Sequence, residues 1–158
     1  MCIRDSACIE NLKKKNLFES LKLSLSEKPY LGICLGLQVL FSLSEESIDS
    51  EGMNIFSGKV ERFTENENFK IPHMGWNQVV FKKKHFVNKN IPNSSNFYFV
   101  HSYASKELKK DNILAETTHG ELFNSAVIQD NIIGVQFHPE KSGAQGLKFL
   151  ENFINWKI

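Results

Sequence analysis

Leu31-Gly32-Ile33-Cys34-Leu35-Gly36-Leu37-Gln38 is the stretch on which the reading of this chain turns. From Lys28 to Phe41 the pattern is a short apolar strand, a sharp turn and the opening of a helix, running from Leu37 to Ser42 or a little beyond. Gly32 and Gly36 stand two positions either side of Cys34. A residue on so sharp a strand-to-helix turn sits in a strained backbone conformation, and its flanks must be small because the two backbones pass close together. The spacing therefore predicts a nucleophile elbow with Cys34 at its tip. Helix amides following the cysteine favour the thiolate over the thiol.

A lone cysteine is more often a small buried hydrophobe than a nucleophile. A second stretch changes the weighting. Asn131-Ile132-Ile133-Gly134-Val135-Gln136-Phe137 reads as a buried strand, and His138 falls at its C-terminal end, where doubly wound sheets place their chemistry. Pro139 ends the strand and leaves Glu140 close enough to turn back on the imidazole. A histidine with a carboxylate two residues on supplies the base and the orienting group that an activated cysteine needs. Such partners meet only in the fold, so their separation in sequence is no obstacle.

With both stretches in hand, a family resemblance appears. The Gly32 to Gln38 elbow and Gln136-Phe137-His138-Pro139-Glu140-Lys141-Ser142 resemble the triad glutamine amidotransferases. Lys70-Ile71-Pro72-His73-Met74-Gly75-Trp76-Asn77-Gln78-Val79 is similar to the amidotransferase subunit of imidazole glycerol phosphate synthase, and so are Phe97 to Tyr103 and Gly146 to Phe153. The resemblance runs from about Ala7 to the C-terminus. It implies an α/β, flavodoxin-like fold with a mixed, largely parallel sheet flanked by helices, forming one amidotransferase domain over residues 1–158.

The resemblance also implies roles. Glutamine is hydrolysed to glutamate and ammonia by Cys34, His138 and Glu140, without cofactor or metal. The Leu35 amide and Gln38 meet the substrate, together with His101, Ser102 and Tyr103. His73, Met74, Gly75, Trp76 and Asn77 face a barrel-shaped cyclase subunit, which uses the ammonia to make imidazole glycerol phosphate and aminoimidazole carboxamide ribotide in histidine biosynthesis. On the residues alone, Trp76 between Gly75 and Asn77 is poor strand or helix material, placed either for contact or to cap a core beneath a loop. His101 to Tyr103 reads equally as turn chemistry or as a substrate rim.

One departure from the family pattern sets a competing expectation. Relatives begin with a strand, a helix, another strand and a Pro-Gly-Val-Gly type loop that supplies the second oxyanion amide. Here Met1 to Ser6 stand in that place and do not resemble the family. The expectation is a domain lacking its first strands, and an alternative function is a non-catalytic fragment that keeps the motifs without the oxyanion loop. A further alternative is the glutaminase of another pathway, against which the His73 to Asn77 segment argues.

Composition bounds the rest. A chain of 158 residues, 41% hydrophobic and 23% charged, is long enough to bury a core. A net charge of +1 gives no electrostatic case for nucleic acid or an anionic membrane. Cys2, Cys8 and Cys34 make no paired or metal-like framework, and no apolar run matches a membrane span or a secretory signal, so the cytoplasm is expected. The lysine clusters at 13–15, 82–84 and 109–110 read as solvated surface, and His85 and His119 as surface or loop residues without partners.

Further elements follow from periodicity. Ile9 to Leu25 reads as an amphipathic helix ending before Pro29, and Ser42 to Glu51 as a polar connection. Strands are predicted at Val60–Phe63, Gln78–Phe81, Asn96–His101 and Ile113–Thr117, then a hairpin turning at Asp130-Asn131. Gly146 to Trp156 closes the chain as a helix with Leu147, Leu150, Phe153 and Ile154 on its apolar face.

Overall fold

The computed structural model describes residues 4–46, 52–65 and 69–158, with side chains from residue 8 onward in the first of these segments. Helices α1 (Arg4–Lys14) and α2 (Phe18–Ser24) come first, then β1 (Tyr30–Ile33), a single helical turn α3 (Leu35–Gln38) and β2 (Phe41–Ser44). Strands β3 (Phe56–Arg62), β4 (His73–Phe81), β5 (Ser95–His101), β6 (Tyr103–Lys106), β7 (Ile113–His119), β8 (Glu121–Gln129) and β9 (Ile132–Val135) follow, and α4 (Gly143–Ile154) closes the chain.

All nine strands join one mixed sheet in the order β2-β3-β6-β8-β7-β4-β5, with β9 branching from β8 and β1 lying on β9. The α/β class with a mixed sheet matches the expectation, but the parallel share is smaller than the resemblance implies. Among the described residues only β1–β9 and β2–β3 pair in parallel, and the other pairings are antiparallel. The antiparallel pairs β7–β8 and β8–β9 are hairpins closed by turns of one and two residues, and β5 returns beside β4 after a longer connection that holds a 3-10 turn at Phe86–Asn88. Asp130 takes the left-handed conformation at the β8–β9 turn (φ 50°), where the hairpin was expected. The Asn131 amide ties that turn to the loop ahead of β1 by donating to the Leu25 and Lys28 carbonyls.

Several expectations are corrected. The Ile9 to Leu25 helix is two helices, because Asn16 adopts the left-handed conformation (φ 56°) and the Leu17 amide closes the end by donating to the Leu12 carbonyl. The elbow helix ends at Gln38, since Val39, Leu40 and Phe41 are all buried and a helix would bury only one face of them. Phe41 instead begins β2 beside Phe56, so the polar connection starts after Ser44, and its part at 47–51 lies outside the described residues. Trp76 lies inside a strand after all: β4 pairs with β5 from His73 opposite His101 to Val79 opposite Ser95, and ladder hydrogen bonds outweigh residue preference. On α4 the buried positions are Gly146, Phe149 and Asn152, whereas Leu147 and Ile154 are exposed.

Two apolar clusters flank the sheet. Phe97, Phe99, Phe137 and Phe149 centre the larger, and Leu37, Leu40, Phe41, Phe56 and Val60 the smaller. Each fully buried side chain of this size contributes about 1.5–3 kcal/mol. The elbow helix carries Leu37 into the second cluster while β9 carries Val135 into the first, which anchors both strand ends at the site. No helix among the described residues is long and apolar enough to cross a membrane.

Candidate active site

Cys34 leaves β1 with φ 51° and ψ −102°, a conformation that non-glycine residues occupy at a cost of about 1–3 kcal/mol. The cause is a close crossing. A Cβ added to Gly32 would lie 2.2 Å from the Gly36 carbonyl oxygen, so strand and helix fit only with glycine there. Gly36 is under less constraint, since a Cβ there would meet only the Tyr30 hydroxyl at 3.6 Å. That hydroxyl donates to the Gly36 carbonyl, and burial, with the nearby Cys8 thiol, raises the Tyr30 pKa. Leu35 is the first residue of α3, and its amide has no intrahelical acceptor. With only one helical turn behind it, the dipole at Cys34 is weaker than the expected longer helix would supply.

His138 reaches the same end of the sheet by way of β9. Ile33 is in register with Val135, and the Cys34 amide donates to the Val135 carbonyl, so the two chains leave the sheet side by side. The His138 Nδ1–H donates to Glu140 Oε1 at 2.7 Å. In the neutral ring this leaves Nε2 as the acceptor nitrogen. Nε2 is buried and has no hydrogen-bond partner among the described residues. Ser142 fastens the segment: its hydroxyl donates to the His138 carbonyl (2.6 Å) and accepts from the Tyr98 amide (2.9 Å), while the His138 amide donates to the Tyr98 carbonyl (2.8 Å).

A cleft of about 270 Å³ opens at Cys34. Leu35, Gln38, His101, Ser102 and Tyr103 line it, so the structure brings together every residue expected to bind substrate. Gln38 is buried, and its amide donates to the Tyr103 carbonyl (3.2 Å) and to Gln136 Oε1 (3.3 Å). The Gln136 amide in turn lies 3.6 Å from Cys34 Sγ. Sequence reasoning missed Gln136, although a polar residue in an otherwise apolar strand, two before the histidine, was a usable signal. Glu46, Pro72 and Val100 also line the cleft and carried no such signal.

The residues expected at a partner surface divide by strand alternation. Met74 and Trp76 point outward and are 62% and 57% exposed, with Met74 on the rim of the Cys34 cleft and Trp76 edge-on to Tyr98. His73 points inward and is buried, so it presents no surface to a partner. Gly75 and Asn77 are half-buried. His119 is not an isolated surface residue either: its ring stacks on His73 at 4.0 Å, and its Nε2 bonds the Lys70 carbonyl. His85 caps the turn at Phe86–Asn88. The lysines at 13–15 and 109–110 are exposed. Among the described residues no group of three or more His, Cys, Asp or Glu side chains is arranged to hold a metal ion.

A larger cleft, about 730 Å³, lies elsewhere, lined by Lys82, Lys83, Lys84, Lys89 and their neighbours. It contains no nucleophile or base pairing of the kind described above. Size alone favours it, but chemistry favours the smaller cleft.

The family model for class-I glutamine amidotransferases matches residues 10–156. Imidazole glycerol phosphate synthase subunit HisH of Hydrogenovibrio crunogenus is 43% identical over 152 residues, covering 95% of this chain and 71% of that protein. The HisH subunits of Nitrosospira multiformis and Sulfurimonas denitrificans are 44% and 45% identical, covering 95% and 94% of this chain and 73% of each protein. Among solved structures, a glutamine amidotransferase superposes with a TM-score of 0.68 at 16% identity, covering 95% of this chain and 75% of that one. Another, from Thermotoga maritima, gives 0.61 at 19% identity, covering 98% and 59%. At such identities these structures speak for the fold alone.

Proposed function

The chain belongs to the class-I glutamine amidotransferases, with HisH subunits among its relatives, and from that premise we propose that it is the glutamine-hydrolysing subunit of an imidazole glycerol phosphate synthase. The observation that carries this reading is the His138–Glu140 pair, which leaves Nε2 without a hydrogen-bond partner among the described residues and follows β9, the strand that runs parallel to the one ending at Cys34.

In the proposed reaction His138 Nε2 takes the Cys34 thiol proton, and the thiolate attacks the side-chain carboxamide carbon of glutamine. The oxygen of the tetrahedral intermediate receives the Leu35 amide. As the C–N bond breaks, the histidine returns the proton to the leaving nitrogen, which departs as ammonia. Water, deprotonated by the same nitrogen, then displaces Cys34 from the glutamyl thioester and gives glutamate. Glu140 holds the imidazole in the tautomer this cycle requires. Gln38 and the His101 to Tyr103 segment hold the amino-acid end of the substrate. No step calls for a cofactor or metal.

Ammonia released into water would be protonated and lost as a nucleophile, so a cyclase subunit must dock over the site. The outward residues Met74, on the rim of the Cys34 cleft, and Trp76, two positions on in the same strand, supply an apolar surface for that contact, with Gly75 and Asn77 beside them in β4. The names of the relatives favour histidine biosynthesis over another amidotransferase pathway. Residues 1–158 act as one amidotransferase domain, working in the cytoplasm. Glutamate release from glutamine, measured with the cyclase subunit and its nucleotide ligand present, tests the proposal. The expected result is turnover by the unaltered chain and none by Cys34→Ala, and equal rates from the two would overturn it.

A further inference from the structure

Three histidines crowd behind the Cys34 cleft, and two of them form a hydrogen-bonded chain whose direction can be deduced. His101 Nδ1 lies 2.6 Å from the Tyr103 carbonyl oxygen, which can only accept. His101 therefore carries its proton on Nδ1. His101 Nε2 lies 2.9 Å from His73 Nδ1, and in neutral rings His73 must be the donor. His73 Nε2 is then an acceptor, 3.1 Å from the Asn77 amide nitrogen. The far end agrees independently. Asn77 Oδ1 accepts from the Gln78 amide and Asn77 Nδ2 donates to the Thr118 carbonyl, which turns the amide's hydrogen-bearing side toward His73.

The chain thus runs in one direction, Asn77 to His73 to His101 to Tyr103. A second proton on either ring would set two N–H groups against each other. The surroundings oppose that proton as well: Phe63, Phe99 and Phe123 pack around the rings, and His119 and His138 are the titratable groups that press on His101. Burial pushes the pKa of His73 down to about 3 and that of His101 down to about 4.

What the chain ends on is the point of functional interest. The Tyr103 carbonyl receives a second donor, the Gln38 amide, whose other bond goes to Gln136 beside the Cys34 sulfur. We propose that His101, locked in one tautomer by His73 and Asn77, is a positioning residue that fixes the Tyr103 carbonyl and, through it, the orientation of the Gln38 amide in the glutamine cleft. This rests on the reading of that cleft as the glutamine site. His101 has no part in proton transfer, so its loss weakens substrate binding far more than it slows chemistry.

The test pairs two isosteres. Asn at position 101 can keep a donor where Nδ1 stands, whereas Gln places its polar atoms where Nε2 stands. With the cyclase subunit present, His101→Gln is expected to raise the KM for glutamine about tenfold, with kcat held within about threefold, and His101→Asn to recover most of the loss. An unchanged KM in His101→Gln would overturn the proposal. Imidazole 15N spectra of the unaltered protein near neutral pH check the chain without any variant. Both His73 and His101 are expected as neutral Nδ1–H rings, and an Nε2–H tautomer at His101 would overturn the proposal on its own. Glutamate release surviving in Cys34→Ala would break the functional reading instead, a failure that the 15N spectrum distinguishes.

Discussion

His138 follows β9 while the His73–His101 pair spans β4 and β5, and their ring nitrogens are used in opposite ways. At His138 one nitrogen is held by Glu140 and the other is left buried without a partner among the described residues. In the pair, all four ring nitrogens are engaged. A general base needs a nitrogen whose lone pair is available, whereas a saturated pair holds geometry and resists a proton. The comparison teaches that a histidine's role is read from what its second nitrogen does.

The largest expected effect falls on the side with the available nitrogen. His138→Ala should lower kcat for glutamine hydrolysis by a factor on the order of 10⁴, measured with the cyclase subunit bound. A loss no greater than that of His101→Gln would erase the distinction. Next in size, Glu140→Gln should cost roughly 10²-fold in kcat with little change in KM, because it loosens the tautomer while leaving the base in place.

The saturated side should show itself in acid. The folded pKa values of His73 and His101 lie below the ordinary histidine value of 6.5, so the unfolded chain binds more protons as the pH falls through that value. The stability the two rings contribute is complete above pH 6.5 and is lost progressively as the pH falls, through about 4 for His101 and about 3 for His73. For His101 alone the loss is on the order of 3 kcal/mol, to be read from urea unfolding at several pH values. A His101→Phe variant should flatten that slope. The smallest effect concerns the rim. Trp76→Ala should weaken cyclase binding by about 2 kcal/mol, measured by titration calorimetry, while the His138 and His101 spectra stay unchanged.

How much of this was legible before the fold was known depends on how local each feature is. The elbow and the His138-Pro139-Glu140 turn are written in consecutive residues, and the structure brings them to adjacent strand ends. The hairpin at Asp130 was legible for the same reason. Legibility failed where register decides. Nothing near His73 announces that it will lie opposite His101, because that pairing is set by the whole β4–β5 ladder. Asn152 is buried on α4 because it donates to the Val87 and Lys89 carbonyls, partners far away in sequence, so an apolar-face count mistook the helix's orientation. Ser142 looked like the tail of a motif, and its clamp on Tyr98 and His138 exists only in three dimensions.

The central claim is that the Cys34 thiol, activated by His138, attacks the glutamine side chain. A glutamine analogue bearing a diazoketone in place of the carboxamide, added to the chain with its cyclase subunit and followed by peptide mapping, addresses it directly. The account predicts alkylation of Cys34, fast in the unaltered protein and greatly slowed in His138→Ala. Labelling at Cys8 instead, or an unlabelled Cys34 in a preparation still releasing glutamate, would contradict it.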